Sequence, residues 1–184
     1  MAATTTATSS YLQRLIGAAA LDTGVYEEIE ADESATTQAF ITVLMSSAAA
    51  GLGARGFGGD PTIAFVFVTS VSLVAWAAWA LVTFEVGVRL LPQRTTHSSV
   101  GELLRTVGFA STPGLLCLFG LLPGGTTTAF AVSSLWVLAA MVVAVRQSLD
   151  YDSTGRAVAV CGIGWILAVC IAVGLGLVFG PTVY

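Results

Sequence analysis

The stretch that decides the fold is residues 106–145, TVGFASTPGLLCLFGLLPGGTTTAFAVSSLWVLAAMVVAV, which contains no charged side chain. A membrane-spanning helix needs about 20 mostly apolar residues to cross a hydrocarbon layer of about 30 Å. This stretch is roughly twice that length, and Pro123, Gly124 and Gly125 interrupt it near its middle. We therefore predict two spanning helices, residues 106–122 and 127–145, joined by a tight hairpin in which Thr126 caps the second helix.

Three further charge-free stretches have the length of a spanning helix, and they cover residues 35–54, 62–84 and 157–180. The composition of the whole chain agrees with this, since 55% of its 184 residues are apolar, 10% are charged and the mean hydropathy is +0.86. A soluble domain of this size would carry more charge. The predicted fold is all-α, a polytopic membrane protein whose residues 35–184 form a bundle of five transmembrane helices.

Residues 1–34 are predicted to form a separate N-terminal segment. Residues 10–21 place apolar side chains at helical spacing with Gln13 and Arg14 off that face, which predicts a short amphipathic helix along the membrane surface. Residues 22–33 then contain six carboxylates and an apolar stripe. Their carboxylates Glu27, Glu28 and Glu30 form either an acidic surface that binds a partner or a face that is simply solvated.

The cations are seven arginines, and there is no lysine. With the N-terminus in the cytoplasm, only Arg55 would lie outside, whereas the opposite orientation would place six arginines outside. Because arginine is retained on the cytoplasmic side, we predict a multi-pass protein of the cell membrane with a cytoplasmic N-terminus and an external C-terminus. The acidic pI of about 4.7 argues against nucleic-acid binding, and an acidic, lysine-free chain suits the salty cytoplasm of an extremely halophilic archaeon.

Two groups of residues are candidates for function. The first is the start of the third span, where Pro113 should kink the helix and Gly108, followed by Phe109, should allow close helix packing; the segment is either a packing device or a groove for a partner. The second is a polar cluster at the predicted cytoplasmic ends of the spans, formed by Glu85, Arg89 and Arg105. It is either a set of interfacial anchors or the mouth of a permeation path.

No catalytic, cofactor or metal site is predicted. His97 is the only histidine, and the three cysteines lie in apolar stretches without CxxC spacing. The pattern G-x-G-x-x-G at residues 51–56 follows a membrane span rather than a strand, so we interpret it as a flexible loop. Asp150 and Asp152 lie between two arginines, which indicates a short turn with local ion pairs.

The order of these features resembles the Yip-one domain family of membrane proteins, first described as interactors of Ypt/Rab GTPases. The likeness covers most of the chain. It rests on an amphipathic lead into the first span and on a third span that opens with Gly108, Phe109 and Pro113. The resemblance implies five spans, a cytoplasmic N-terminus, an external C-terminus and a non-catalytic role in partner binding and membrane shaping.

The sequence therefore predicts a non-enzymatic membrane protein that acts through protein–protein and helix–helix contacts, as an organiser, an adaptor or a small subunit. Its expected partners are membrane lipids and either another membrane protein or a second copy of the chain. The alternative is a component of a permease for ions or small solutes. An intramembrane enzyme ranks third, because no set of titratable groups can be brought together.

Overall fold

The computed structural model describes residues 10–57, 59–87 and 99–179. In these residues the structure is helical and contains no strand. Two short helices come first, α1 (Tyr11–Ala19) and α2 (Thr23–Ala31). Five longer segments follow: α3 (Ala35–Gly53), α4 (Pro61–Glu85), α5 (Val100–Ala110) continued by a 3-10 helix (Thr112–Leu121), α6 (Thr126–Ser148) and α7 (Thr154–Phe179).

Five segments are long and apolar enough to cross a membrane, as the sequence predicts. We refer to α5 and the 3-10 helix together as the third span, Val100–Leu121. It begins at Val100, well before the predicted residue 106. The reason is a reciprocal cap at the start of α5, in which the backbone N–H of Glu102 donates to the Ser99 hydroxyl and the N–H of Ser99 donates to the Glu102 carboxylate.

The third span is the most buried of the five. It packs between α3 and α6, while α4 packs against α3 and α7, and α7 in turn packs against α6. The five spans therefore close into a ring. Gly108 lets α5 approach α3 closely, because a Cβ added at this glycine would lie 2.8 Å from the Cβ of Ala39. The prediction that Gly108 is a packing position is in accord with this geometry.

Pro113, where the sequence predicts a kink, lies at the start of the 3-10 helix that continues α5. Proline has no N–H, so the carbonyl of Phe109 loses the donor that a continuous α-helix would supply. The Thr112 hydroxyl donates to that carbonyl at 2.6 Å, and the Ser133 hydroxyl of α6 donates to the Pro113 carbonyl at 3.1 Å. Side-chain hydroxyls therefore satisfy the backbone groups at the break.

The hairpin between the third span and α6 has a different cap from the predicted one. Thr126 is the first residue of α6, and the residue at the cap position is Gly125. The Thr126 hydroxyl instead donates to the carbonyl of Gly120 at 2.9 Å, which ties the two spans together across the turn. Gly124 has φ of 73°, a conformation that glycine adopts without strain.

The hydroxyl of Thr112 can be tested by a double-mutant cycle. We expect Thr112→Val to destabilise the protein by about 1–3 kcal/mol, because the buried carbonyl of Phe109 loses its donor. In a Pro113→Ala background the new N–H can serve that carbonyl, so the cost of Thr112→Val should fall by at least half. The free energy of unfolding of all four proteins is measured in detergent, with circular dichroism as the signal. An equal cost in both backgrounds would contradict this role of the hydroxyl.

Candidate partner-binding site

Helices α1 and α2 fold back on each other to form an N-terminal hairpin, residues 10–32. Leu21 makes the turn with φ of 63°, an uncommon conformation for a residue with a side chain. The Tyr26 hydroxyl donates to the carbonyl of Ala18 at 3.1 Å. Gly17 allows the helices to meet, since a Cβ there would lie 2.5 Å from a methyl group of Val25. The hairpin is therefore a packed unit.

A buried arginine joins this hairpin to the first span. The side chain of Arg14 is 1% exposed. Its Nη2 lies 2.6 Å from an oxygen of Asp32 and 3.0 Å from an oxygen of Glu28, and its Nη1 donates to the side chain of Gln38 in α3 at 3.0 Å. The Ser34 hydroxyl and Arg14 together hold the pKa of Asp32 at about 2. One guanidinium therefore connects α1, the end of α2 and the start of α3.

Helix α1 divides its apolar residues between two sides. Tyr11 packs edge-on against Phe109, with ring centroids 6.0 Å apart, and its hydroxyl lies 3.0 Å from the hydroxyl of Thr42. Leu12 and Ile16 are 64% and 61% exposed. The burial of Arg14 was not predicted, because the sequence only placed it off the apolar face. Hydrophobic periodicity does not reveal an arginine that finds its acceptors on other helices.

The C-terminal end of α1 lies beside the middle of a span. The indole Nε1 of Trp136, ten residues into α6, donates to the carbonyl of Ala19 at 2.8 Å. The sequence predicts α1 along the membrane surface, and the exposed side chains of Leu12 and Ile16 give the helix the apolar face that this position requires.

Helix α2 buries its predicted apolar stripe against the third span and α6. Tyr26 and Ile29 are completely buried. The carboxylate of Glu27 accepts a hydrogen bond of 2.8 Å from the Gln147 side chain, and the guanidinium of Arg105 donates to the carbonyl of Glu30 at 2.5 Å. The acidic helix is therefore fixed to the spans, and the Glu27 side chain remains exposed although it contacts α6.

Burial, together with the nearby carboxylates of Asp150, Glu102 and Glu27, raises the pKa of Glu30 to about 7. The guanidinium of Arg105 opposes this rise. These groups belong to α2, α5 and the turn after α6, so the charge at Glu30 is sensitive to how closely the three elements meet.

The structure separates the six residues predicted as a partner or packing surface into two kinds. Gly108, Phe109 and Pro113 are buried in the bundle. The side chains of Glu27, Glu28 and Glu30 lie at the surface or half-buried on α2. Helix α1 contacts both groups, because Tyr11 packs against Phe109 and Arg14 forms an ion pair with Glu28.

The structure describes two of the three residues of the predicted polar cluster. Arg89 lies outside the described residues, and Glu85 is exposed at the end of α4. Arg105 is 7% exposed and directs its guanidinium to the backbone of α2 rather than to a solvent-filled mouth. The arrangement gives Arg105 a role in holding α2, which the sequence did not indicate because a single arginine near a span is typical of an interface.

The turn between α6 and α7 contains a contact that sequence reasoning missed. Between Asp150 and Asp152, Tyr151 is 3% exposed and its hydroxyl donates to the carbonyl of Gly87 at 2.9 Å. The turn therefore fastens the end of α4. Within the described ranges, no group of three or more His, Cys, Asp or Glu side chains is placed to hold a metal ion.

The sequence profile of the Yip1 domain matches residues 23–175, which includes α2 and most of α7. The chain belongs to the Yip1 domain family. No curated protein and no solved structure matches it. The Yip1 match contains both the acidic helix and the kinked third span, and it supports the resemblance drawn from Gly108, Phe109 and Pro113. The chain is thus a multi-pass membrane protein of the Yip1 domain family, and the match begins at the first residue of α2.

The raised pKa of Glu30 predicts a pH dependence. A free glutamate has a pKa of 4.5, so between that value and about 7 the packed protein retains a proton that the unpacked chain has lost. Stability should therefore decline as pH rises from 4.5 to about 7 and stay low above it. The opposite effect of Asp32, whose pKa is lowered, acts only below 3.8 and lies outside this window.

We expect Glu30→Gln to abolish that decline and to make the protein more stable than the wild type at about pH 8. Glu33→Gln is the matched control, since Glu33 is exposed at the end of the same hairpin and the decline should persist in it. Melting temperature in detergent across this pH range measures the effect. A Glu30→Gln variant that still loses stability as the wild type does would refute the assignment.

Proposed function

We propose that this Yip1 protein is a non-enzymatic membrane organiser or adaptor that binds another membrane protein through the exposed side of α2. The observation that carries the proposal is the two-sidedness of this helix. Tyr26 and Ile29 hold one side on the spans, so the acidic side is presented in a fixed orientation. A rigid surface loses less conformational entropy on binding than a free segment does.

Charge defines the kind of partner. Four exposed carboxylates lie on or next to the elements that meet at this end of the bundle: Glu27, Glu33, Asp150 and Asp152. A partner with a basic face would complement them, and such charges set association rate and specificity more than affinity. We therefore expect a basic surface on a neighbouring membrane protein, with a second copy of this chain as the other candidate.

The positions of the arginines indicate how the protein is oriented in the membrane. Arg14 and Arg105 bind the hairpin, and Arg146 donates to the carbonyl of Tyr151 in the adjoining turn. Arg55 follows the opposite end of α3. The arrangement favours a cytoplasmic hairpin and an external C-terminus in the cell membrane, because arginine is retained on the cytoplasmic side. The proposed partner surface then faces the cytoplasm.

A pull-down of the tagged protein from its native membrane in mild detergent tests this function. We expect a stoichiometric partner with the wild type and a loss of at least about threefold in its recovery with the double variant Glu27→Lys, Glu33→Lys, because two charge reversals repel a basic face. Arg55→Glu, a reversal at the opposite end, and Gln147→Leu, which removes the hydrogen bond to Glu27 without reversing a charge, are the controls and should recover the partner normally.

Recovery of a single protein species in every sample, with a mass in detergent equal to one chain, would contradict both the adaptor and the self-association versions of the proposal. A partner retained equally by the double variant and the controls would place the contact elsewhere on the protein. The mass of the complex distinguishes a second copy from a different membrane protein.

A further inference from the structure

Two recesses lie side by side in the middle of the ring of spans. The inner recess, of about 150 Å³, lies between α3, α4, the third span and α6. The outer recess, also about 150 Å³, lies between α4, α6 and α7. Trp76, Val137 and Met141 line both recesses and form the partition between them. Three of the four tryptophans of the chain, Trp76, Trp79 and Trp165, line the outer recess.

Trp76 carries a donor that the described part of the protein does not satisfy. Its indole Nε1 is buried and has no hydrogen-bond partner there. The comparable donor of Trp79 is used, since its Nε1 bonds to the carbonyl of Cys161 at 3.2 Å. The hydroxyls of Thr69 and Thr83 are also unpaired on α4, but a threonine hydroxyl can rotate toward its own helix backbone. An indole N–H is fixed in the ring and cannot rotate in this way, so the N–H of Trp76 needs an acceptor from another molecule.

The linings argue against water as the main occupant. The surface that the inner recess exposes is mainly apolar, although Ser46, Ser47, Ser72 and Ser111 are among its lining residues. The hydroxyl of Ser111 is already bonded to the carbonyl of Gly108 at 2.6 Å. A buried water molecule needs two to four polar partners, and an apolar cavity stays dry. An apolar molecule with a single acceptor satisfies these surroundings better.

Charge and depth restrict that molecule further. Within the described residues, neither recess is lined by Asp, Glu or Arg. Trp76 lies nine residues before the end of α4 at Glu85, a rise of about 14 Å, which is near the middle of a hydrocarbon layer of about 30 Å. A charged lipid headgroup does not reach this depth without a large desolvation cost.

We infer that the two recesses form a binding site for an uncharged, membrane-dissolved hydrophobe that carries a carbonyl group, of the class of long-chain ketones and quinones. The carbonyl oxygen accepts the hydrogen bond of Trp76 Nε1, and the apolar chain lies along Trp79 and Trp165. The site shares no residue with the acidic surface of α2, so its test is independent of the test of the adaptor function.

Photo-crosslinking in vesicles of a diether phosphatidylcholine, whose chains contain no carbonyl group, tests the site. The probe is a long-chain ketone with a diazirine, and the competitors are 2-hexadecanone and hexadecane, which differ by one carbonyl. We expect 2-hexadecanone to suppress labelling of residues 72–79 and 137–141, and hexadecane at the same mole fraction to leave it unchanged. Equal suppression by both competitors would overturn the proposal, since it would show apolar partitioning alone.

Three variants test the hydrogen bond and the inner recess. Trp76→Phe keeps an aromatic ring and removes the donor, so the ketone concentration for half-suppression should rise by about three- to tenfold. Trp136→Phe, whose indole lines neither recess and whose N–H bonds to the carbonyl of Ala19, should leave it unchanged. Ala50→Leu narrows the inner recess without altering Trp76 and should abolish ketone-sensitive labelling. Unchanged competition in Trp76→Phe, or retained sensitivity in Ala50→Leu, would contradict the assignment.

Discussion

The ion-pair network of Arg14 is the interaction on which the arrangement of the N-terminal half depends. A guanidinium that is removed from water needs acceptors in fixed positions, and Glu28, Asp32 and Gln38 supply them from three consecutive parts of the chain. The side chains of Glu28 and Asp32 remain 32% and 24% exposed, so they keep part of their hydration. The desolvation cost therefore falls mainly on the arginine, which is the more weakly hydrated type of cation.

This network explains how the hairpin and the kinked span come to act as one unit. With Arg14 in place, α1 sets Tyr11 against Phe109, and the next turn of the third span contains the Pro113 break. On the other side, Arg105 and Gln147 hold α2 to α5 and α6. A displacement of α2 would therefore disturb contacts on three spans, which gives the proposed partner surface a mechanical connection to the bundle.

The sequence predicted the five spans because long charge-free stretches are a direct consequence of the membrane as solvent. The expectations for Gly108 and Pro113 also depend on the residue itself, the first on the absence of a side chain and the second on the absence of an N–H. The sequence did not predict the burial of Arg14, the role of Arg105 or the bond of Tyr151 to Gly87. Those depend on which distant backbone and side-chain atoms meet, and residue spacing along the chain contains no such information.

The same distinction applies to the functional residues. The carboxylates of α2 were recognisable as a group, but which of them are held by the spans and which are presented outward depends on how α2 docks. Trp76 had no signal in the sequence at all, because an indole in a span is usually a lipid contact or an interfacial anchor. Its significance comes only from the missing acceptor.

Hydrogen–deuterium exchange of the detergent-solubilised protein tests most directly whether Arg14 docks the hairpin on the bundle. Arg14→Met keeps the apolar stem, and Arg55→Gln, at an exposed arginine, is the control. We expect exchange at least about tenfold faster in α1 and α2 of Arg14→Met, with α6 protected as in the wild type and in Arg55→Gln. Unchanged protection of both helices in Arg14→Met would contradict it.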